Sequence, residues 1–203
     1  MRQAFYYAAA SSTQRERVCS GRFNEKTSYG QELLNCIDHS APEIRDGIVF
    51  DGLSFWLRNE MLTTTTTQTL FTALNQILST TNKDPNNFAQ PFAALILAEV
   101  IRVDRISPYL TDIQRQDVVN TGTHYMISID DYRGFDDTVG WRHAVAHSAD
   151  LLLQLTLNKQ ITASLLQQLL AAISTQVVAK HGHFYHYGEP KKTGEACTAV
   201  ILV

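Results

Sequence analysis

The sequence predicts an all-α protein of stacked helical hairpins, a short α-solenoid of the HEAT or armadillo kind. Three observations carry that prediction. Apolar residues recur at three- and four-residue steps through most of the chain, as in Leu70, Ala73, Leu74, Ile77 and Leu78, the spacing of a helix with one buried face. Helical pairs begin near Pro42, Phe88 and Val139, about 46 and 51 residues apart, close to the repeat length of such arrays. No segment alternates apolar and polar residues strictly enough to be a strand. Each hairpin alone would expose an apolar face that only a neighbouring hairpin can cover. A compact helical bundle satisfies the same periodicity and stays open as the alternative.

Positions 1–30 are polar and aperiodic and read as a loosely held extension, with positions 31–203 as one repeat-like domain. Ser40-Ala-Pro-Glu43 has the form of a capping box with Pro in the first turn, so a helix is predicted from there to about Arg58. The Thr63 to Thr67 run is a poor helix interior and makes the entrance to the helix carrying Leu70 to Leu78. Asp84-Pro85, within Asn82 to Asn87, marks a turn. A second apolar helix then runs from about Phe88 to Val103 and is closed by Ser107-Pro108. Thr111 or Asp112 caps its successor, and Asp130 to Thr138 follows as a loop. Gly140 to about Leu157 and Ile161 to about Ala179 make the third pair. The apolar end, Cys197-Thr-Ala-Val-Ile-Leu-Val203, reads as an interrupted helix or a truncated frame.

A chain of 203 residues is long enough for one domain with its own core. Apolar residues make up 44% and charged residues 18%, with a formal net charge of −3, the composition of an ordinary globular protein. The 17 basic residues are scattered and outnumbered by 20 acids, which argues against a nucleic-acid partner. No stretch is long enough to cross a membrane, since the longest apolar segment, Phe92 to Ile101, is interrupted by Glu99. The apolar run near Met1 is too short and too aromatic for an export signal. Cys19, Cys36 and Cys197 form an odd set without CxxC spacing. They indicate neither a disulfide framework nor a thiolate zinc site and fit a reducing cytoplasm.

The informative stretch is Asp131-Tyr-Arg-Gly-Phe-Asp-Asp-Thr-Val-Gly-Trp-Arg-His143-Ala-Val-Ala-His147-Ser-Ala-Asp150. At about 100° per residue, His143, His147, Asp150 and Gln154 fall within roughly 60° on a helix, with Trp141, Val145 and Leu152 on the opposite, core side. A solvated face is wide and rich in Lys and Glu, whereas this strip is narrow and bordered by Ala and Leu, which suggests a groove wall. Histidines four apart can share a metal ion with an acid one turn on, and the same trio can move protons. Structural polar packing is the plain alternative, and the zincin pattern is absent because Ala144 stands where its Glu belongs. Arg45-Asp46 fits a solvated pair, a bridge between hairpins or part of a polar site. Arg133-Gly134 offers a positive-φ glycine and an arginine able to brace Asp150 or bind an anion. His181-Gly-His183-Phe-Tyr-His186 fits either a metal-binding loop or a packed turn.

At these residues the chain resembles an uncharacterised bacterial family, domain of unknown function 2785. The shared features are Ile44-Arg45-Asp46, Phe92-Ala-Ala-Leu-Ile-Leu-Ala98, Asp131 with Arg133-Gly134, Gly140-Trp141 with His143, His147 and Asp150, and Tyr187-Gly-Glu189. They run in order from about Gln31 to Lys192. The resemblance implies an all-helical, repeat-like fold, adds Asp131 and Glu189 to the polar set, and brings no established activity. Gln90-Pro91 stands where the family tends to have Arg-Ser, and Lys192 where an Arg is usual. The expected function is a binding or scaffold module that takes a peptide, protein or small polar ligand in a groove around His143, His147 and Asp150. The alternative is a hydrolase using the same cluster. No cofactor is predicted, and a divalent metal at His143, His147 and Asp150 is the weaker option.

Overall fold

The computed structural model describes Gly30, residues 32–80 and residues 84–202. But for Gly30, the extension expected at positions 1–30 lies outside them. After a 3-10 turn at Leu34–Cys36, α1 (Pro42–Ile44) runs without a break through a π-helical stretch (Arg45–Phe50) into α2 (Asp51–Arg58). The capping box predicted at Ser40 does not form. Ala41 takes the N-cap position with no side-chain cap, and Pro42 opens the helix, where a missing N–H costs nothing. Thr63 caps α3 (Thr64–Ser79), its hydroxyl accepting the Thr66 amide at 3.1 Å. Asp84 accepts the Phe88 and Ala89 amides and so turns the chain into α4 (Ala89–Ile106). Thr111 and Gln114 form a reciprocal capping box on α5 (Asp112–Ser128).

The loop after α5 holds the main departure from the predicted elements. Phe135–Asp136 (β1) pairs antiparallel with Gly140–Trp141 (β2), and α6 begins only at Ala144 and ends at Thr156. Gly140 at φ 72° and His143 at φ 52° stand outside the helical region. Asp136 accepts the Thr138 and Val139 amides, at 2.8 and 3.1 Å, and folds the tight turn between the two strands. Thr162 then caps α7 (Ala163–Ser174), and α8 (Glu189–Leu202) completes the described helices.

The protein is all-α apart from this small hairpin, and its helix contacts fall into two layers. The π-helical stretch with α2, then α4, α6 and α8 touch one after another to form the first layer, and α3, α5 and α7 form the second. The most extensive contact joins α4 to α6. Leu53, Leu70, Leu74, Ile96, Leu97, Ile101, Val118, Met126, Leu151, Leu152 and Leu155 are buried in one continuous cluster between the layers, each contributing about 1.5–3 kcal/mol by leaving water. Buried Asp104 ties the end of α4 to α5 and to the turn after α6. It accepts from Arg115 and Asn158, at 2.8 Å each, and from the Tyr109 and Leu110 amides. Cys197 is free, but Cys36 is disulfide-bonded, contrary to the expectation from the cysteine pattern. An odd count still leaves room for one crosslink, and spacing along a chain does not reveal which thiols meet. Among the described residues, no helix is long and apolar enough to cross a membrane.

Candidate functional site

A cleft of about 330 Å³ opens along the first layer. Asp46 and Phe50 of the π-helical stretch line it, with Phe92 and Leu95 of α4, Trp141 of β2, His143, Ala146, His147 and Asp150 at the start of α6, and Lys192 of α8. The wide turns of the π-helix put Asp46 and Phe50, four residues apart, on one side. Successive elements of the layer thus each supply a wall.

His143 is not on the helix, as the stripe required, but at its N-cap in the left-handed conformation. Its ring still meets His147, with centroids 5.7 Å apart, and stacks on Trp141 at 4.8 Å. The ring hydrogen-bonds to the Tyr187 backbone, and its Nε2 lies 3.5 Å from Glu189 Oε1. Glu189 is itself buried and accepts the Tyr187 amide at 2.9 Å. His147 meets the edge of Phe92, is hydrogen-bonded to the Pro91 backbone and leaves Nδ1 without a partner among the described residues. With Pro91 offering a carbonyl, the neutral tautomer that fits carries its proton on Nε2 and a lone pair on Nδ1. Burial lowers the pKa of both rings, and that of His147, where the neighbouring His143 adds to the effect, falls to about 3. Both are therefore predominantly neutral at neutral pH.

Asp150 accepts from Lys192 at 2.7 Å. Burial raises its carboxyl pKa against the opposing pull of that ammonium. The expected brace from Arg133 is absent, because Arg133 pairs instead with Asp131 beside Asn87, away from the cleft. Burial would raise Asp131, but hydrogen bonds from Arg133 and Asn87 hold it at about 2. Arg45 is fully buried beneath the cleft. It reaches Asp46 at 2.9 Å, donates to the His39 and Val139 carbonyls at 3.0 and 2.8 Å, and lies over the rings of Phe88 and Phe92. It is a strut that fixes Asp46. Burial raises the Asp46 carboxyl, with Arg45 opposing.

Gly134 has its own reason to be glycine, and it is not a positive φ. A Cβ there would lie 2.0 Å from the ring of Tyr187, so the ring packs on bare backbone and latches the start of α8 to the hairpin. Trp141, placed by the predicted register on the core side of a helix, is half-buried in β2 and lines the cleft. Gln154 leaves the predicted stripe and accepts from Arg105 at 3.0 Å. Ser148 is buried, its hydroxyl has no partner among the described residues, and it lines no part of the cleft. In the histidine-rich loop, His183 stacks on Tyr132 at 5.1 Å, and the Tyr185 hydroxyl donates to the Gln176 carbonyl at 3.0 Å. Among the described residues, no group of three or more His, Cys, Asp or Glu side chains is placed to hold a metal ion.

Lys192, Phe50 and Leu95 are cleft residues that the sequence does not single out as site residues. Lys192 stands out there only as a departure from the resembled family, because nothing short-range links it to Asp150, 42 positions earlier. No curated protein and no solved structure matches the chain. A family model described as protein of unknown function (DUF2785) matches residues 57–201, a span that contains every cleft residue except Asp46 and Phe50. The match takes in well over half of the chain, which therefore belongs to the DUF2785 family.

Proposed function

We propose that the chain is a binding module, a short HEAT-like α-solenoid whose first layer forms the inner face and receives a small polar ligand or peptide side chain. The observation that carries this reading is the convergence of Asp46, His143, His147, Asp150 and Lys192 on one cleft walled by Phe50, Phe92 and Trp141. A few polar groups among apolar walls is the usual make-up of a ligand pocket, and repeat proteins present such sites on their concave faces. His143 adds weight: a non-glycine residue held left-handed beside a cleft stores strain of the kind that accompanies binding sites. A hydrolase has less support, since Ser148 supplies no nucleophile to the cleft and a divalent ion at His143, His147 and Asp150 would have to displace Lys192.

Two-dimensional NMR against a panel of amino acids, amines, sugars and short peptides tests the binding reading. Ligands should first shift the Trp141 indole and the amides at the start of α6 and α8. Leu95→Trp, which fills the cleft, should abolish those shifts. Shifts confined to α3, α5 and α7, or binding indifferent to Leu95→Trp, would overturn it.

A further inference from the structure

The charge of the ligand can be read from the cleft, and that reading rests on the cleft being the binding site just proposed. Asp46 and Asp150 line it, and Lys192 is the single basic residue among the described lining residues. More acid stands behind. The charges of Asp51 and Glu43 act on Asp46, that of Glu195 acts on Asp150, and Glu189 sits beside His143. Against these, Arg45 is committed to Asp46 and Lys192 to Asp150. Burial opposes positive charge on both imidazoles: it lowers the pKa of half-buried His143 and that of buried His147, the latter to about 3.

Hydrogen-bonding capacity points the same way. His147 is only 8% exposed and lines the cleft with an Nδ1 that has no partner among the described residues. In the tautomer that its Pro91 contact selects, this nitrogen can only accept. A ligand that satisfies this nitrogen must donate a hydrogen bond to it. Phe50, Phe92 and Trp141 add π surface, to which a cation is attracted and an anion is not. An incoming carboxylate or phosphate would meet two aspartates and one ammonium already held 2.7 Å from Asp150.

We propose that the cleft takes a small primary amine, its ammonium seated near Asp46 and Asp150 and its carbon skeleton against the aromatic walls. The volume of about 330 Å³ suits a molecule of that size.

Benzylamine, benzyl alcohol and benzoate have nearly the same shape and differ in charge, so NMR titration of the full chain with each separates charge from fit. Benzylamine should shift the Trp141 indole with an affinity at least tenfold above that of benzyl alcohol, and benzoate should bind more weakly still. Asp150→Asn should weaken benzylamine fivefold or more, whereas Lys192→Gln, which removes the competing cation, should tighten it several-fold. Those opposite effects are not what a general loss of folding gives, and the amide spectrum of each variant checks its fold. Benzoate binding as tightly as benzylamine, or benzylamine affinity unmoved by both variants, would sink the proposal. If benzyl alcohol or benzoate enters the cleft and benzylamine does not, the charge assignment fails while the binding module survives. If none of the three shifts a cleft resonance, the amine assignment fails and the wider panel alone decides the binding reading.

Discussion

Replacing Arg45 by Met keeps an unbranched apolar chain against Phe88 and Phe92 and removes everything else the guanidinium does. The Asp46 carboxylate loses its 2.9 Å partner, and the carbonyls of His39 and Val139 lose their donors. Breaking a buried ion pair from one side costs about 3–5 kcal/mol. Asp46 keeps 31% of its side chain in water, which places the expected loss near the lower end, about 3 kcal/mol. For a chain of this size each kcal/mol moves the melting temperature by about 2–4 °C, so Arg45→Met should melt about 6–12 °C below the parent when followed by circular dichroism. Adding Asp46→Leu should restore part of the loss, because an apolar pair replaces a stranded charge. An Arg45→Met protein within about 0.5 kcal/mol of the parent, a change typical of an exposed site, would refute the strut and with it the reason Asp46 stands where it does.

Trp141→Ala should cost about 1–2 kcal/mol, below the 3–5 kcal/mol typical of a fully buried aromatic, because half-buried Trp141 lines the cleft instead of filling the core; thermal melts decide between the two values. Gly134→Ala puts a methyl where the Tyr187 ring lies and should destabilise by about 1–3 kcal/mol, with the first-turn amides of α8 exchanging faster in deuterium. Protein purified without a histidine tag should carry no stoichiometric zinc or manganese by elemental analysis, and added metal should leave its melting temperature unchanged.

The helical periods of α3 to α7 were legible because each buries a face against the neighbouring layer, and burial writes itself into spacing of three and four. The Thr63 to Thr67 run marked a helix entrance, and Thr111 was one of two candidate caps for α5, because capping is a local match of a side-chain oxygen to nearby amides. The hairpin of Phe135–Asp136 and Gly140–Trp141 was not legible. It is two residues per strand, too short for alternation to show, and it depends on Asp136 accepting amides two and three residues on. Missing it extended α6 backwards and put Trp141 on the wrong side. His143 and His147 nonetheless meet, since the left-handed His143 returns its ring to the first turn of the helix. The π-helical stretch under Asp46 and Phe50 left no mark that composition reveals. Lys192 reaches the site from α8 through tertiary packing alone, which one sequence cannot display, and Glu189 entered the polar set only through the family resemblance. The disulfide at Cys36 was hidden likewise.

The cleft is prearranged, with His147 a buried, neutral acceptor inside it. Its folded pKa of about 3 lies below the unfolded value of about 6.5. On lowering the pH, the unfolded chain therefore takes up this proton first, and the folded state loses about 1.4 kcal/mol per pH unit between those limits. Stability is retained above pH 6.5 and drained below it, and His147→Phe should flatten the slope. The most direct measurement is a pH titration of the His147 ring nitrogens by 15N NMR. One protonated nitrogen, Nε2, and no titration down to pH 5 are expected, whereas a ring that titrates near pH 6.5 or protonates on Nδ1 would show that His147 is not a buried neutral acceptor.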